Sequence, residues 1–198
     1  MKKIILILCS LLCMAPMSQA QSLGDFLKSF SGEQTKAAPE VKPKHPSARD
    51  LVGKWNYQEL NLEYTGDDAL ASLAISSVKN EFAGLNAKLG LTPGQDYIQI
   101  KSNGSMTICI GDNKISGKYS YIPPTGGLII TLGEDAHRVI LTATATMHDK
   151  ALHIMFNAKE LMATVEANAP QIGNEQIFAV AKALINAYDG IMVGAKFN

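Results

Sequence analysis

Short segments that alternate apolar and polar residues, each ended by turn residues, make up most of the chain after Asp50. Such period-two segments at regular spacing predict antiparallel strands that form a sandwich or a barrel. Asn103 and Gly104 stand at one connection, where we expect them to supply the positive backbone angles of a tight hairpin turn. The eight predicted strands lie at 51–64, 95–101, 105–111, 113–122, 127–133, 137–147, 151–157 and 190–198.

Alternation within a strand predicts which side chains point into the barrel, because successive side chains lie on opposite faces. In the sixth predicted strand we assign the apolar set to the interior and the intervening threonines to the outside. Small inward side chains leave room either for a ligand or for a packed helix, and the apolar helical faces elsewhere in the chain favour the helix. The inward set is Val139, Leu141, Ala143, Ala145 and Met147.

Two stretches carry helical rather than strand periodicity. After the first strand, apolar residues recur at three- and four-residue steps over 70–89, with Asp67 as the predicted N-cap and Gly90 as a stop signal. Before the last strand, a short helix opens at Asn157 and a second one follows Pro170. Helices with one apolar face need a surface to cover, and the barrel is the surface that the chain provides.

Residues 1–20 have the pattern of a secretory signal peptide. Two lysines precede an apolar run, and Ser18 and Ala20 occupy the positions that a signal peptidase reads. The run is shorter than the roughly 20 residues that span a bilayer. We therefore expect an exported protein in the periplasm, at the outer membrane or outside the cell. Lipid attachment at Cys13 is an open alternative, although Leu12 is bulkier than a lipoprotein processing site normally accepts.

Residues 21–49 differ in character from the predicted barrel domain at 50–198. Leu23–Phe30 places its apolar residues on one helical face, but it is too short to be a stable helix alone. We expect it to dock on the domain or to bind a protein partner. The rest is a polar, Pro-rich linker. Once the signal is removed only Cys109 remains, and its apolar strand predicts a small buried hydrophobic side chain.

Composition and motifs argue against several classes of function. The 18 basic and 18 acidic residues give a formal net charge of +0, so no electrostatic footprint for nucleic acid is present. No nucleophile motif or phosphate-binding loop occurs, and Gly111–Gly117 has too few acidic ligands for a calcium loop. His137 and His153 fall on adjacent predicted strands but lack a fixed carboxylate partner. We expect no catalytic site, no metal and no cofactor.

Gly53, Lys54 and Trp55 open the first strand and resemble the Gly-x-Trp signature of the lipocalin superfamily. In that family the tryptophan packs across the closed end of the barrel, and a large aromatic there fills the end of a closed sheet. The resemblance implies the same position for Trp55. The early helix and the absence of a disulfide depart from ordinary lipocalins, so transport of an apolar ligand is not inherited with the fold.

A wider resemblance covers 51–197. The order of LVGKW, an inserted helix, ISGKYSY, a late helical pair and YDGIMVGAKF is similar to a family of secreted lipocalin-like proteins of unknown function from Bacteroidetes. It implies a mainly β fold, an eight-stranded antiparallel up-and-down barrel. A long helix follows the first strand, and a helical pair precedes the last one.

Binding of a small apolar or amphipathic ligand inside the barrel is the preferred function. The alternative is a filled barrel that acts as an envelope interaction or structural protein without a small ligand. An enzyme is the third hypothesis, and no residue pattern supports a reaction class. The predicted ligand-binding residues, in the barrel interior and the helical lid, are Trp55, Tyr57, Leu73, Phe82, Leu85, Tyr119, Tyr121, Leu141, Ala143 and Met155.

Overall fold

Eight antiparallel strands form a closed barrel in sequence order, which confirms the fold that the lipocalin-like resemblance implies, whereas the alternation alone allowed a sandwich or a barrel. The computed structural model describes residues 44–83, 86, 90–133, 138–168, 182 and 185–198. Each strand pairs with its neighbours in the chain, and β1 closes the sheet against β8. The strands are β1 Gly53–Tyr64, β2 Tyr97–Ile100, β3 Ser105–Ile110, β4 Asn113–Ile122, β5 Gly127–Leu132, β6 Val139–His148, β7 Ala151–Asn157 and β8 Ile191–Phe197.

The first strand changes partner about a third of the way along its length. Gly53–Asn56 pairs with β2, whereas the remainder of β1, from Tyr57 onward, pairs with β8 across a bulge. At the change of partner, the Tyr57 N–H donates to the Asp96 carbonyl at 2.8 Å, and the Gly94 N–H donates to the Tyr57 carbonyl at 2.7 Å. The bulge bends β1 and lets the short strand β2 diverge from it.

Residues 44–51 close the end of the barrel where β1 begins. The short helix α1, Ala48–Leu51, is capped by Ser47, and Leu51 is completely buried. The Trp55 Nε1–H donates to the Leu51 carbonyl at 2.9 Å, so the indole joins this segment to the first strand. Contacts with the barrel already begin at Lys44, whose carbonyl accepts from the Met147 N–H at 2.7 Å.

The helix α2, Ala69–Ala83, follows β1 and packs against it. The predicted helix is confirmed, but its N-cap is Asp68 and not Asp67, because Asp68 Oδ1 accepts from the first two free backbone N–H groups of the helix. Its buried side chains include Ala71 and Ile75.

The helix α3, Ala158–Asn168, packs against β6, β7 and β8 at the other end of the barrel. Asn157 Oδ1 accepts from the N–H groups of Lys159 and Glu160, which confirms the predicted N-cap. The helix predicted after Pro170 lies mostly outside the described residues, although 185–187 are helical. No helix in the described ranges combines the length and apolar character needed to cross a membrane.

The predicted inward set of β6 is confirmed, since Val139, Leu141, Ala143 and Ala145 are buried and alternate with more exposed side chains. Met147, the last member of the set, is partly buried and packs against the core. The predicted backbone role of Asn103 is wrong. Only Gly104 of that turn has a positive φ, at 81°. Asn103 acts through its side chain instead, because its Oδ1 accepts from the N–H and the hydroxyl of Ser105.

Candidate ligand-binding site

An apolar cavity of about 130 Å³ lies inside the barrel. Inward-facing side chains from the strands form most of its wall, and α3 contributes Leu161 to it. Ile108, Phe156 and Ala195 face inward but are only partly buried, as expected of side chains that border free volume. The lining residues are Tyr57, Leu60, Leu91, Asp96, Tyr97, Ile98, Met106, Ile108, Cys109, Ile110, Ile130, Leu132, Leu141, Ile154, Phe156, Leu161, Gly194, Ala195 and Phe197.

The volume of the cavity limits what it can enclose. Pockets for drug-sized ligands measure about 300–1,000 Å³, whereas an apolar cavity of about 150 Å³ takes up benzene. A cavity of about 130 Å³ therefore fits one small ring or a short alkyl chain. It does not enclose a steroid or a long acyl chain.

Tyr57 borders the cavity beside the divergence of β1 and β2. Its ring meets Phe197 edge to face, with centroids 6.1 Å apart, and its hydroxyl donates to Asn86 Oδ1 at 2.5 Å. Burial raises the pKa of Tyr57 above its usual value, and the charges of Glu59 and Asp96 raise it further. The hydroxyl therefore stays protonated at neutral pH, with its proton engaged by Asn86.

Asp96 also borders the cavity and is 4% exposed. Its Oδ2 accepts from the Thr92 N–H at 2.6 Å, and its Oδ1 accepts from the Gly111 N–H at 2.8 Å. The carboxylate thereby joins the turn before β2 to the turn between β3 and β4. Two charge-assisted hydrogen bonds offset part of the cost of burying an anion at the cavity wall.

The structure brings two of the predicted binding residues, Tyr57 and Leu141, to the cavity wall. Ala143 and Met155 are buried but do not line the cavity, and Met155 lies on the outer face, opposite Thr144 and Gly194 in the sheet.

Three of the predicted aromatic residues lie toward the closed end, namely Trp55 of β1 and Tyr119 and Tyr121 of β4. The Tyr121 hydroxyl donates to the Pro46 carbonyl at 2.7 Å, and the Tyr119 hydroxyl donates to the Lys101 carbonyl at 2.8 Å. Together with Trp55, these side chains tie loops to the barrel end and do not line the cavity.

The predicted helical lid is not seen in the described part of α2. Leu73 is 51% exposed, so this side chain does not close the barrel. Leu85 and the side chain of Phe82 lie outside the described residues. Leu161 of α3 reaches the cavity instead, although the prediction did not include it. The sequence signal that was available for Leu161 was its position in the predicted helix that directly follows the inward-facing residues of β7.

The predicted histidine pair falls partly outside the described residues, because His137 is not among them. His153 lies on the outer face of the barrel, with its Nδ1 3.3 Å from Asn61 Nδ2. Within the described ranges, no three His, Cys, Asp or Glu side chains come together as a metal site would require. Cys109 is a buried free thiol.

Comparison with known proteins agrees with the barrel. No curated protein and no solved structure matches the chain significantly. Residues 25–198 match the family described as Lipocalin-like domain (DUF4923). Because this match covers most of the chain and the strands close into an eight-stranded antiparallel barrel, the protein belongs to this lipocalin-like family.

Proposed function

We propose that the barrel binds a small apolar ligand, or the apolar end of an amphipathic one, after export of the chain from the cytoplasm. The apolar cavity inside the barrel, to which α3 contributes Leu161, carries the proposal, and membership of a lipocalin-like family supports it. The signal-peptide pattern of residues 1–20 supports the export step.

The cavity sets the expected size of the ligand. Binding is driven by the removal of apolar surface of both the ligand and the cavity from water. Because the cavity is already formed, binding does not incur the cost of opening it. We therefore expect monocyclic aromatics and short-chain alcohols to bind, and steroids not to.

Thermal unfolding of the chain from Gln21 to Asn198, with and without toluene, benzyl alcohol or pentan-1-ol, tests the proposal. A ligand at ten times its Kd stabilises the native state by about 1.4 kcal/mol, which raises Tm by about 3–5 °C for a domain of this size. A steroid serves as the oversized control. Failure of every small ligand to raise Tm would reject the proposal.

Filling the cavity provides a matched test. Ala195→Leu adds three carbon atoms to an inward-facing residue that lines the cavity, and we expect it to remove the ligand-induced rise in Tm. Thr142→Leu makes a similar change on the exposed outer face and should leave the rise intact. Gly194 is unsuitable for this purpose because a Cβ there would collide with the Ile154 carbonyl.

The partner hypothesis stays a prediction, since Leu23–Phe30 lies outside the described residues. A barrel that gives no ligand response would direct attention to this segment.

A further inference from the structure

We infer that the predicted amphipathic segment Leu23–Phe30 docks on the outer face of the barrel of its own chain, over a stripe of three exposed isoleucines. The isoleucine stripe consists of Ile122 at the end of β4, Ile129 in β5 and Ile140 near the start of β6, and its members are between 38% and 53% exposed. The inference concerns the outer surface of the barrel and does not depend on the cavity or on its ligand.

The register of the sheet makes the isoleucine stripe continuous. Ile122 and Ile140 pair with Gly127 and Thr131, which precede and follow Ile129 by two positions in β5. Residues two positions apart in a strand share a face, so Ile122 and Ile140 are both diagonal neighbours of Ile129, at about 7–8 Å. A Cβ added to Gly127 would lie 3.8 Å from Ile122 Cβ, which agrees with a common outward face.

The isoleucine stripe is a surface that a partner segment can cover without burying charge. Exposed apolar side chains that stand singly are normal, whereas a contiguous set marks an interaction surface. Among the described residues six large apolar side chains are exposed, and the stripe contains three of them. The outward residues beside the stripe, Ser120, Thr131 and Thr142, are short and uncharged.

The segment Leu23–Phe30 has the complementary character. Leu23, Phe26, Leu27 and Phe30 share one face of a helix in its sequence pattern. A helix of eight residues is not stable in water on its own, so this segment needs an apolar surface on which to fold. The isoleucine stripe is such a surface within the same chain.

The described chain begins close to the isoleucine stripe. The Ala145 N–H donates to the Gly126 carbonyl just before β5, and the Met147 N–H donates to the Lys44 carbonyl. Amides two positions apart point to the same edge of a strand, so Lys44 lies in line with β5, beyond Gly126. The far end of the stripe, Ile140, is seven positions from Met147 in β6, which corresponds to about 23 Å.

The linker between the segment and Lys44 is long enough to reach the stripe. Residues 31–43 number thirteen. They extend to about 45 Å at most, and a flexible chain of this length spans about 20 Å on average. Such a tether holds the segment at an effective concentration in the millimolar range. A weak contact is therefore populated within one chain before a second copy or another protein at micromolar concentration can compete.

Hydrogen–deuterium exchange of the chain from Gln21 to Asn198 tests the inference. Amides of an undocked short helix exchange almost as fast as those of an unfolded peptide, whereas docking protects them. We expect the amides of Leu23–Phe30 to exchange at least about tenfold more slowly in the chain than in a synthetic peptide of residues 21–43, as docking for about nine-tenths of the time requires. Equal exchange in the chain and in the peptide would overturn the inference.

Dilution of the protein separates docking within one chain from docking between two chains. The effective concentration set by a tether does not depend on protein concentration, so we expect the same slowing after dilution by about a hundredfold. Slowing that disappears on dilution would assign the stripe to the segment of a second copy and overturn the inference.

Replacement of two isoleucines tests the surface itself. Ile129→Thr combined with Ile140→Thr keeps β-branching in the strands, and we expect it to abolish the slow exchange of Leu23–Phe30. Leu70→Gln removes an equally exposed side chain from α2, which packs against β1 on the opposite side of the barrel, and should leave the slowing unchanged. Slow exchange that persists in the double variant would contradict the role of the stripe.

A second pair of variants leaves the barrel sequence untouched, so its result does not depend on how the barrel tolerates substitution. Leu27→Gln removes an apolar side chain from the predicted docking face and should restore the fast exchange of the free peptide. Lys28→Gln makes a similar change on the polar face of the same predicted helix and should keep the slow exchange. Equal exchange in the two variants would count against docking through the apolar face.

Discussion

His153 and Asn61 form a polar contact on the outer face of the barrel across β8. Asn61 is 8% exposed, and its Nδ2 donates to Glu63 Oε1 at 2.6 Å and lies 3.3 Å from His153 Nδ1. Since an amide N–H can donate only to an unprotonated ring nitrogen, this contact requires neutral His153. Burial lowers the pKa of His153 below 6.5, more than the nearby Glu63 charge raises it.

The lowered pKa of His153 predicts that the folded protein loses stability on mild acidification. The unfolded chain takes up the proton near pH 6.5, and the folded chain takes it up only at lower pH. The contribution of neutral His153 to the free energy of unfolding is therefore fully present above about pH 6.5 and decreases as the pH drops toward the folded pKa. Because His153 is half-buried, we expect a loss below about 1 kcal/mol. Urea unfolding at pH 7.5, 6.5 and 5.5 measures it, and His153→Gln should show a flatter dependence. Equal pH slopes for the wild type and His153→Gln would contradict the assignment of this pH dependence to His153.

Single residues differed in how much their sequence context revealed. Trp55 lies at the closed end, as the Gly-x-Trp resemblance predicted, because a single large aromatic at a strand start has few alternative positions. Asp96 was not predicted. An aspartate between a Pro-Gly turn and a strand has the ordinary pattern of a turn residue, and its burial depends on Gly111, which is 15 residues away. Contacts of that kind depend on strand register and are not encoded locally.

The connection between β6 and β7 shows how a turn is formed against residue preference. His148 pairs with Ala151, so the loop has two residues, and both have positive φ, 48° at Asp149 and 67° at Lys150. These angles define a type I′ turn, whose twist matches that of the strands. Asp tolerates the conformation, whereas Lys is strained in it.

Lys150→Gly should therefore stabilise the protein. Gly adopts the left-handed conformation without a Cβ penalty, and Asp-Gly is among the preferred type I′ pairs. After the entropy cost of Gly is subtracted, we expect a gain of about 0.5–1 kcal/mol in the free energy of unfolding, measured by urea titration. Lys150→Val, which removes the same charge but adds β-branching, should be less stable than the wild type. A lower stability for Lys150→Gly would show that the Lys150 side chain contributes more than its strain costs.

Helices and strands were predictable to different depths. Alternation along a strand leaves only one apolar face, and in β6 this face points into the barrel as predicted. The α2 sequence has apolar residues at 70, 71, 73, 74 and 75, so two faces satisfy helical periodicity. The structure buries Ala71 and Ile75 and leaves Leu70 57% exposed. The small Ala71 side chain lets the helix approach β1 closely, a preference that hydrophobicity alone does not express.

The cavity is a property of the whole barrel and could not be read from any one segment. Its volume depends on how side chains from both halves of the sheet and from α3 meet, and a barrel of eight strands has an interior that is either just filled or just large enough for one small ligand. Strand periodicity alone therefore does not distinguish a filled barrel from one with a cavity. The register places Ala195 opposite the inward-facing Ile154, where a larger residue would fill the space.

The segment 44–47 forms part of the folded unit, which changes how the N-terminal region must be truncated. Its carbonyl groups accept from Met147 and Tyr121 on the barrel, and Ser47 caps α1. A chain that begins at Ala48 loses at least these two hydrogen bonds and the helix cap compared with a chain that begins at Lys44. At about 1 kcal/mol for each, the shorter chain should be less stable by about 2–3 kcal/mol in urea unfolding.

Comparison of these two chains isolates the contribution of residues 44–47 to stability, because both chains lack the predicted signal and the predicted amphipathic segment. Tyr121→Phe in the longer chain removes one of the same hydrogen bonds and should reproduce about a third of the loss. Equal stability of the two chains would mean that residues 44–47 rest on the barrel without supporting it. If the loss is observed, a test of partner binding by Leu23–Phe30 has to cut before Lys44, since a cut after Ser47 would weaken the barrel and remove the segment at the same time.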